Sequence, residues 1–362
     1  MKGDYWKSLT ARRLSRRRAL ALTGAVAGAA GLLAACGGSN EGDEARDASG
    51  LVTPPRDETK DVKRGGVLVN RTISEPNTLE PHLFPGNFTA QDTYGGLWLI
   101  KDGHMKYTSG EIEGDVVESW EFSPDRLTIT AKVNPNARFA PVAPVNGRPV
   151  DAQDVVATFQ RHKSISNQRA EFANEINPNA PIVSVTATDT RTVVIKLNEP
   201  NAAITALLAR GTPGSMFIVP KEALDQNVLN LARTAAGSGP WYITEYQFGI
   251  GYRYKRNPGF KDANQDIPYI DEINWPTVTE YASFLAQFRA GAIHLGVGVR
   301  AEDVLPTKRD LPQLELMETY FSTRIQRPGF GVAPDSPFLD ERLRQAWMMT
   351  IDRDLYLDTV FN

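Results

Sequence analysis

One cysteine, Cys36, is present in 362 residues, so no disulfide can form within the chain. Histidines are also few: His82, His104, His162 and His294 stand singly, without the pair spacing of a metal site. No Gly-x-Ser-x-Gly turn offers a nucleophilic serine, and these absences argue against a secreted hydrolase. No Gly-x-x-x-x-Gly-Lys-Ser/Thr loop is present, which excludes the ATPase component of a transporter. No uncharged run reaches the roughly 20 strongly apolar residues that a stable membrane helix requires. Beyond residue 64 there is neither low complexity nor an internal repeat.

What is there begins with charge of one sign. Residues 1–35 carry seven Lys/Arg against Asp4 alone, so the rest of the chain is more acidic than the net −3 of the whole. An acidic body argues against a nucleic-acid or anionic-membrane partner. Arg16-Arg17-Arg18 precedes an uncharged Ala- and Gly-rich run from Ala19 to Ala35, the pattern of an export signal. Arg16 and Arg17 resemble the twin-arginine motif, with Ala19 where a bulkier apolar residue is usual; the general secretory route is the alternative. Leu33-Ala34-Ala35-Cys36-Gly37 resembles a bacterial lipobox, in which Cys36 is alkylated with diacylglycerol and becomes the mature N-terminus. A buried cysteine behind an ordinary cleaved signal is the competing reading. Residues 37–64 are rich in Gly, Ser, Asn, Asp, Glu and Pro and bury too little to order themselves, so they read as a tether.

A globular body follows, since 41% apolar and 9% aromatic residues suffice for real cores. Gly65-Gly66-Val67-Leu68-Val69 predicts a first strand, which the Pro-rich Ser74–His82 stretch cannot continue. Leu127, Ile129, Ala131 and Val133 alternate after the turn Ser123-Pro124-Asp125-Arg126, predicting a hairpin with Asp115–Phe122. Asp151 and Asp154 predict a helix start, with Val155 and Phe159 buried and an end near Lys163. A second hairpin is expected from Val183–Asp189 and Thr192–Asn198. Asn201 is expected to cap a helix running through Arg210 to Gly211. Gly237-Ser238-Gly239 suggests a hinge, ahead of strands near Tyr242–Tyr246, Tyr252–Arg256 and Ile270–Ile273. Tyr281, Phe284, Leu285 and Phe288 share one helix face and predict core packing. Asp340 should cap a helix with Leu343, Ala346 and Trp347 inward, and Asp352 should start another through Phe361.

Taken in order, several blocks resemble the family-5 (peptide/nickel type) extracellular solute-binding proteins of ABC transporters. They include Gly65-Gly66-Val67-Leu68 with Glu75-Pro76-Asn77-Thr78-Leu79-Glu80-Pro81-His82, Glu118-Ser119-Trp120-Glu121, and Arg148-Pro149-Val150-Asp151-Ala152-Gln153-Asp154-Val155. Leu197–Ala203, Ile218–Leu224, Gly237–Trp241, Lys255–Phe260, Pro268–Ile273, Gln287–Leu295 and Arg342–Arg353 follow in the family's order. At Ala292-Ile293-His294 the chain departs from the family's acidic pattern.

The resemblance implies a mixed α/β (α+β), two-lobed fold of the type II periplasmic-binding-protein kind with an additional subdomain. The expected division is 1–36 signal and lipobox, 37–64 tether, 65–240 first lobe with inserted subdomain, and 241–362 partial second lobe. The family chain continues past the Ile351-Asp352-Arg353 helix, so a C-terminally incomplete chain is expected. The implied function is capture of a solute, an oligopeptide or dipeptide by default, and delivery to permease subunits by a monomer lipid-anchored through Cys36 outside the cytoplasmic membrane. Nickel chelates, oligosaccharides and opine-like compounds are the other solutes the family admits. No catalytic residue, metal or cofactor is expected. The ligand-contacting candidates are Glu75, as partner of a ligand amine, with Asn77, Thr78, Tyr94, Gly239 and Trp241. A tethered sensory or interaction lipoprotein on the same fold is the alternative.

Overall fold

The computed structural model describes residues 51–360 apart from 54–55, 75–77, 84–87, 102, 104–107, 211–215, 261, 263–266, 318–328 and 332. The export signal with Arg16, Arg17 and Cys36, most of the tether, and Glu75 and Asn77 lie outside the described residues. The described part divides into two compact units, one within Pro54–Glu315 and the other made of residues 51–53 and 316–360.

The larger unit opens with strand β1 (Val67–Val69), helix α1 (Phe88–Thr93), β2 (Trp98–Ile100) and β3 (Ile112–Gly114). Strands β4 (Val117–Phe122) and β5 (Thr128–Val133) form the first expected hairpin. Its turn holds because Asp125 accepts from the Leu127 amide while Ser123 accepts from Thr128. Ile129, Ala131 and Val133 are buried, as their alternation requires.

Helix α2 (Ala152–Ile165) starts at a complete capping box. Asp151 accepts from the Gln153 and Asp154 amides, and Asp154 accepts from the Asp151 amide in return. Its inner face buries Val155 and Phe159, contributing about 1.5–3 kcal/mol each. After the short α3 (Arg169–Phe172), β6 (Ile182–Ala187) and β7 (Thr192–Leu197) make the second hairpin. Together these strands form the antiparallel sheet β4-β5-β7-β6.

The helix expected from Asn201 to Arg210 is much shorter, α4 (Ile204–Leu207), followed at once by β8 (Ala209–Arg210). Ala209 pairs in parallel with Trp98, giving the sheet β3-β2-β8, and that tertiary pairing overrides the local helical preference. Strands β9 (Trp241–Gln247), β10 (Gly251–Arg256) and β11 (Glu272–Pro276) follow in antiparallel succession. β11 then pairs in parallel with β1, Val67 opposite Glu272 and Val69 opposite Asn274. Hydrogen bonds thus join β1 with strands beyond residue 240 into one sheet, β1-β11-β10-β9. Helices α5 (Tyr281–Arg289) and α6 (Ala301–Asp310) complete this unit.

Trp98, Tyr94, Phe139, Phe217, Ile129 and Ile195 belong to the main core of the larger unit. A smaller aromatic cluster is built by Trp241, Tyr252 and Tyr254.

In the second unit, Asp340 caps α7 (Glu341–Met349) and Asp352 accepts from Leu355 at the start of α8 (Arg353–Val360). Leu343 and Trp347 do not face inward as expected. They are 45% and 40% exposed, and the Trp347 indole meets Phe330 edge to face at 5.5 Å.

Candidate functional site

Of the residues proposed to touch a ligand, Thr78 is the first that lies among the described residues. Its hydroxyl accepts from the Glu80 amide at 3.2 Å and it is only partly buried. The segment beyond it is firmly held. Leu79 donates to Ala232 O, the buried Glu80 carboxylate takes Arg161 Nη2 at 2.5 Å, and His82 Nε2 meets Phe217 O at 2.9 Å.

Tyr94 lies in the main core. It is fully buried, its hydroxyl accepts from the Ala236 amide at 3.3 Å, and burial, reinforced by the Glu80 charge, drives its pKa far upward. Gly239 is held through its backbone. Its amide donates to Thr93 O at 2.9 Å and its carbonyl accepts from Asn257 Nδ2 at 3.0 Å. Gly237-Ser238-Gly239 is thus no hinge but a close approach to the end of α1, where a Cβ at Gly237 would overlap the Thr93 carbonyl. Trp241 packs in the aromatic cluster, 8% exposed.

The histidines that stand apart in sequence do meet in part. The His82 and His162 rings lie edge to face at 5.5 Å, both buried. Burial lowers His82 to about 4 and His162 to about 3, so both are neutral at ordinary pH. Because His82 Nε2 faces a carbonyl, that nitrogen carries the proton. Among the described residues no cluster of three or more His, Cys, Asp or Glu side chains could hold a metal ion.

The Arg148–Asp154 block has an internal role. Arg148 grips the fully buried Asp154 with two bonds, at 2.8 and 2.7 Å, and reaches Glu222 through Nε at 2.8 Å. Burial alone would lower the Arg148 pKa, but hydrogen bonds and charges from Asp154 and Glu222 outweigh it and the net direction is upward. The Arg148 hydrogen bond, in turn, pulls Glu222 below the usual carboxylate range. This network ties the start of α2 to the 3-10 turn Lys221–Leu224.

A different arrangement occupies the carboxyl ends of β1 and β11, and no sequence pattern pointed to it. The parallel pairing continues past both strands, with Thr72 donating to Pro276 O at 3.1 Å and Val278 donating to Thr72 O at 2.9 Å. Between them Asn70 Oδ1 accepts from the Arg71 amide at 2.8 Å, and Arg71 Nη1 reaches Val278 O at 3.4 Å. The guanidinium carbon lies 3.5 Å from the centroid of the fully buried Phe284 ring on α5. Beside it Arg300 stacks 4.1 Å from Tyr281, whose hydroxyl accepts from the Arg300 amide and donates to Asp303. Open α/β sheets bind small molecules at such carboxyl ends.

A groove of about 450 Å³ lies at the other end of the sheet, lined by Tyr242, Lys255, Arg256, Asn257, Asp271 and Glu272. Its charges are matched internally, Lys255 with Glu272 at 3.3 Å and Arg256 with Asp271 at 3.6 Å. The β1/β11 carboxyl end, where Arg71 has no carboxylate partner among the described residues, is the stronger candidate.

Among the described residues, three sheets and a parallel pair inside a mixed sheet define a mixed α/β protein. Residues 111–362 match the bacterial extracellular solute-binding proteins, family 5 (middle part), and the chain belongs to that family. It is 26% identical over 303 residues to a putative ABC transporter peptide-binding protein of Brucella ovis, covering 80% of this chain and 53% of the relative. The chain thus spans about half the length of the curated relatives it matches. Among solved structures it resembles the periplasmic binding protein DppA of Helicobacter pylori in complex with the peptide STSA. The TM-score is 0.53 at 23% identity, over 65% of this chain and 47% of that one. It also resembles the binding protein MoaA from A. tumefaciens R10 in complex with mannopinic acid. There the TM-score is 0.55 at 23% identity, over 70% and 48%. The fold is that of the type II periplasmic binding proteins. No helix among the described residues is long and apolar enough to cross a membrane.

Proposed function

We infer that the protein is the substrate-binding lipoprotein of an ABC transporter, capturing an oligopeptide or dipeptide outside the cytoplasmic membrane and delivering it to a permease. The match of residues 111–362 to the family-5 binding proteins carries this reading. The Brucella relative is named as peptide-binding and the Helicobacter structure holds a peptide, which supports peptide as the solute class. Capture and release is the whole of the chemistry, with energy supplied by the transporter. The ligand meets the stretch from Ser74 to Thr78, where Glu75 pairs with its amine. Cys36 carries the lipid and residues 37–64 are the tether, as the lone cysteine and the polar composition suggest.

Mass spectrometry of material co-purifying with the full chain, followed by calorimetry against a mixed peptide library, tests the function. Bound peptide and measurable heat are expected; no retained solute and no heat beyond dilution would overturn it. In the same titrations Glu75→Gln weakens peptides with a free amine, and unchanged binding would remove Glu75 from the site. Fatty-acid labelling tests the anchor, because a Cys36→Ser chain that is still labelled leaves the lipid reading without support.

A further inference from the structure

We propose that Arg71 is the anion anchor of this site, its guanidinium receiving a carboxylate of the captured solute. The proposal rests on the solute-binding reading above and adds the charge of the group that the site selects.

The first argument is a contrast in charge balance with arginines elsewhere in the larger unit. Arg148 is matched by Asp154 and Glu222, Arg161 by Glu80, Arg256 by Asp271 and Arg289 by Asp310. Among the described residues Arg71 has no carboxylate within ion-pair distance. Its one side-chain hydrogen bond is the long one to Val278 O, so most of its five donors are unused. Partial burial lowers its pKa, the sign of a cation that has lost water without gaining a counter-charge.

The second argument is that the group is held in place for use. Phe284 fixes one face of the guanidinium, and the Asn70 side chain fixes the backbone behind it. Gly298 closes the surroundings: its φ is +88°, and a Cβ there would come within 2.9 Å of Arg71 Nη2. A planar fork pre-oriented in this way matches a carboxylate with two parallel bonds, which a lysine ammonium cannot do.

The third argument is location and field. Arg71 sits two residues beyond β1, at the carboxyl end of the parallel pair. The titratable groups around it are Arg300 and Tyr281 on the adjoining ring stack, Asp303 held by the Tyr281 hydroxyl, and His294, whose Nδ1 accepts from the Val69 amide at 3.1 Å. Arg71 and Arg300 set two guanidiniums against the one Asp303 carboxylate, so these groups together carry net positive charge, which favours an anion at Arg71.

The experiment presents a tripeptide library to the immobilised full chain twice, once with free C-terminal carboxylates and once as carboxamides. Retention is read by mass spectrometry for wild type, Arg71→Gln and Arg71→Lys. Wild type should favour the free acids by about 10- to 100-fold, the range of a bidentate charged contact. Arg71→Gln should lose that preference and Arg71→Lys keep only part of it. Equal retention of acids and amides by wild type overturns the anchor and leaves peptide binding standing. If neither library is retained, peptide binding fails on its own and a second probe decides Arg71. Gluconate, glutarate and malonate are then compared by thermal shift. Stabilisation of wild type that Arg71→Gln loses supports the anchor, and no stabilisation overturns it.

Discussion

Arg148 and Arg161 beside helix α2, and Arg71 at the end of β1, are all withdrawn from bulk water, yet they are completed differently. The α2 arginines meet carboxylates of the same chain: Asp154 is fully buried and Glu80 nearly so. Arg71 is stacked, braced and left without an acid among the described residues. An ion pair closed within the chain locks elements together, here the Thr78–His82 segment and the Lys221–Leu224 turn onto α2. A cation held open is organised for something that arrives from outside.

The largest effect that would test this contrast is at Arg148. Replacing it with Ala strands the buried Asp154 carboxylate with only the backbone amides of Asp151 and Lys221, and should cost about 3–5 kcal/mol. Denaturant unfolding reads this as a lowered midpoint at unchanged slope, and a loss under about 1 kcal/mol would break the contrast.

Next comes pH, which probes the same buried region. The unfolded chain protonates its histidines near pH 6.5, whereas the folded chain resists until about 4 at His82 and about 3 at His162. The unfolded state therefore binds more protons in that window. The stability present above pH 7 falls as pH drops from about 6.5 towards 4, by up to about 1.4 kcal/mol per pH unit for each ring. A His162→Phe chain should show a shallower fall in melts between pH 7 and 5, and equal slopes would assign the effect elsewhere.

The smallest expected stability effect is at Arg71. Arg71→Met removes one cation–π contact and should shift stability by no more than about 1 kcal/mol. Thermal unfolding checks it, and a collapse comparable to that of Arg148→Ala would make Arg71 a structural residue and erase the distinction.

Sequence patterns reached local features well and distant ones poorly. Both hairpins and the α2 cap follow from turn residues, alternation and an Asp at the right place, all encoded within a few residues. The helix from Asn201 stops short because β8 takes its partner from far along the chain, and the pairing of β1 with β11 is out of reach for the same reason. Gly237-Ser238-Gly239 looked like freedom and is contact, since a glycine signals equally a flexible joint and a neighbour too close for a side chain. Tyr94 and Trp241 carry no mark that separates core aromatics from ligand contacts. His82 and His162 are brought together only by the packing of α2. Arg71 could not be read at all: one arginine after a strand is unremarkable until Phe284, Val278 and Gly298 are folded around it.

The pairing of β1 with β11 also governs when the protein can be finished. About 200 residues separate the two strands, and contacts across so long a loop form late because the closure entropy comes before any reward. Until Pro276 has been synthesised, Val67–Val69 is an edge with no neighbour on that side, and the ledge carrying Arg71 has no frame. A nascent chain that has completed both hairpins and α2 is therefore still without its candidate site, which is assembled by one of the last joins in the larger unit.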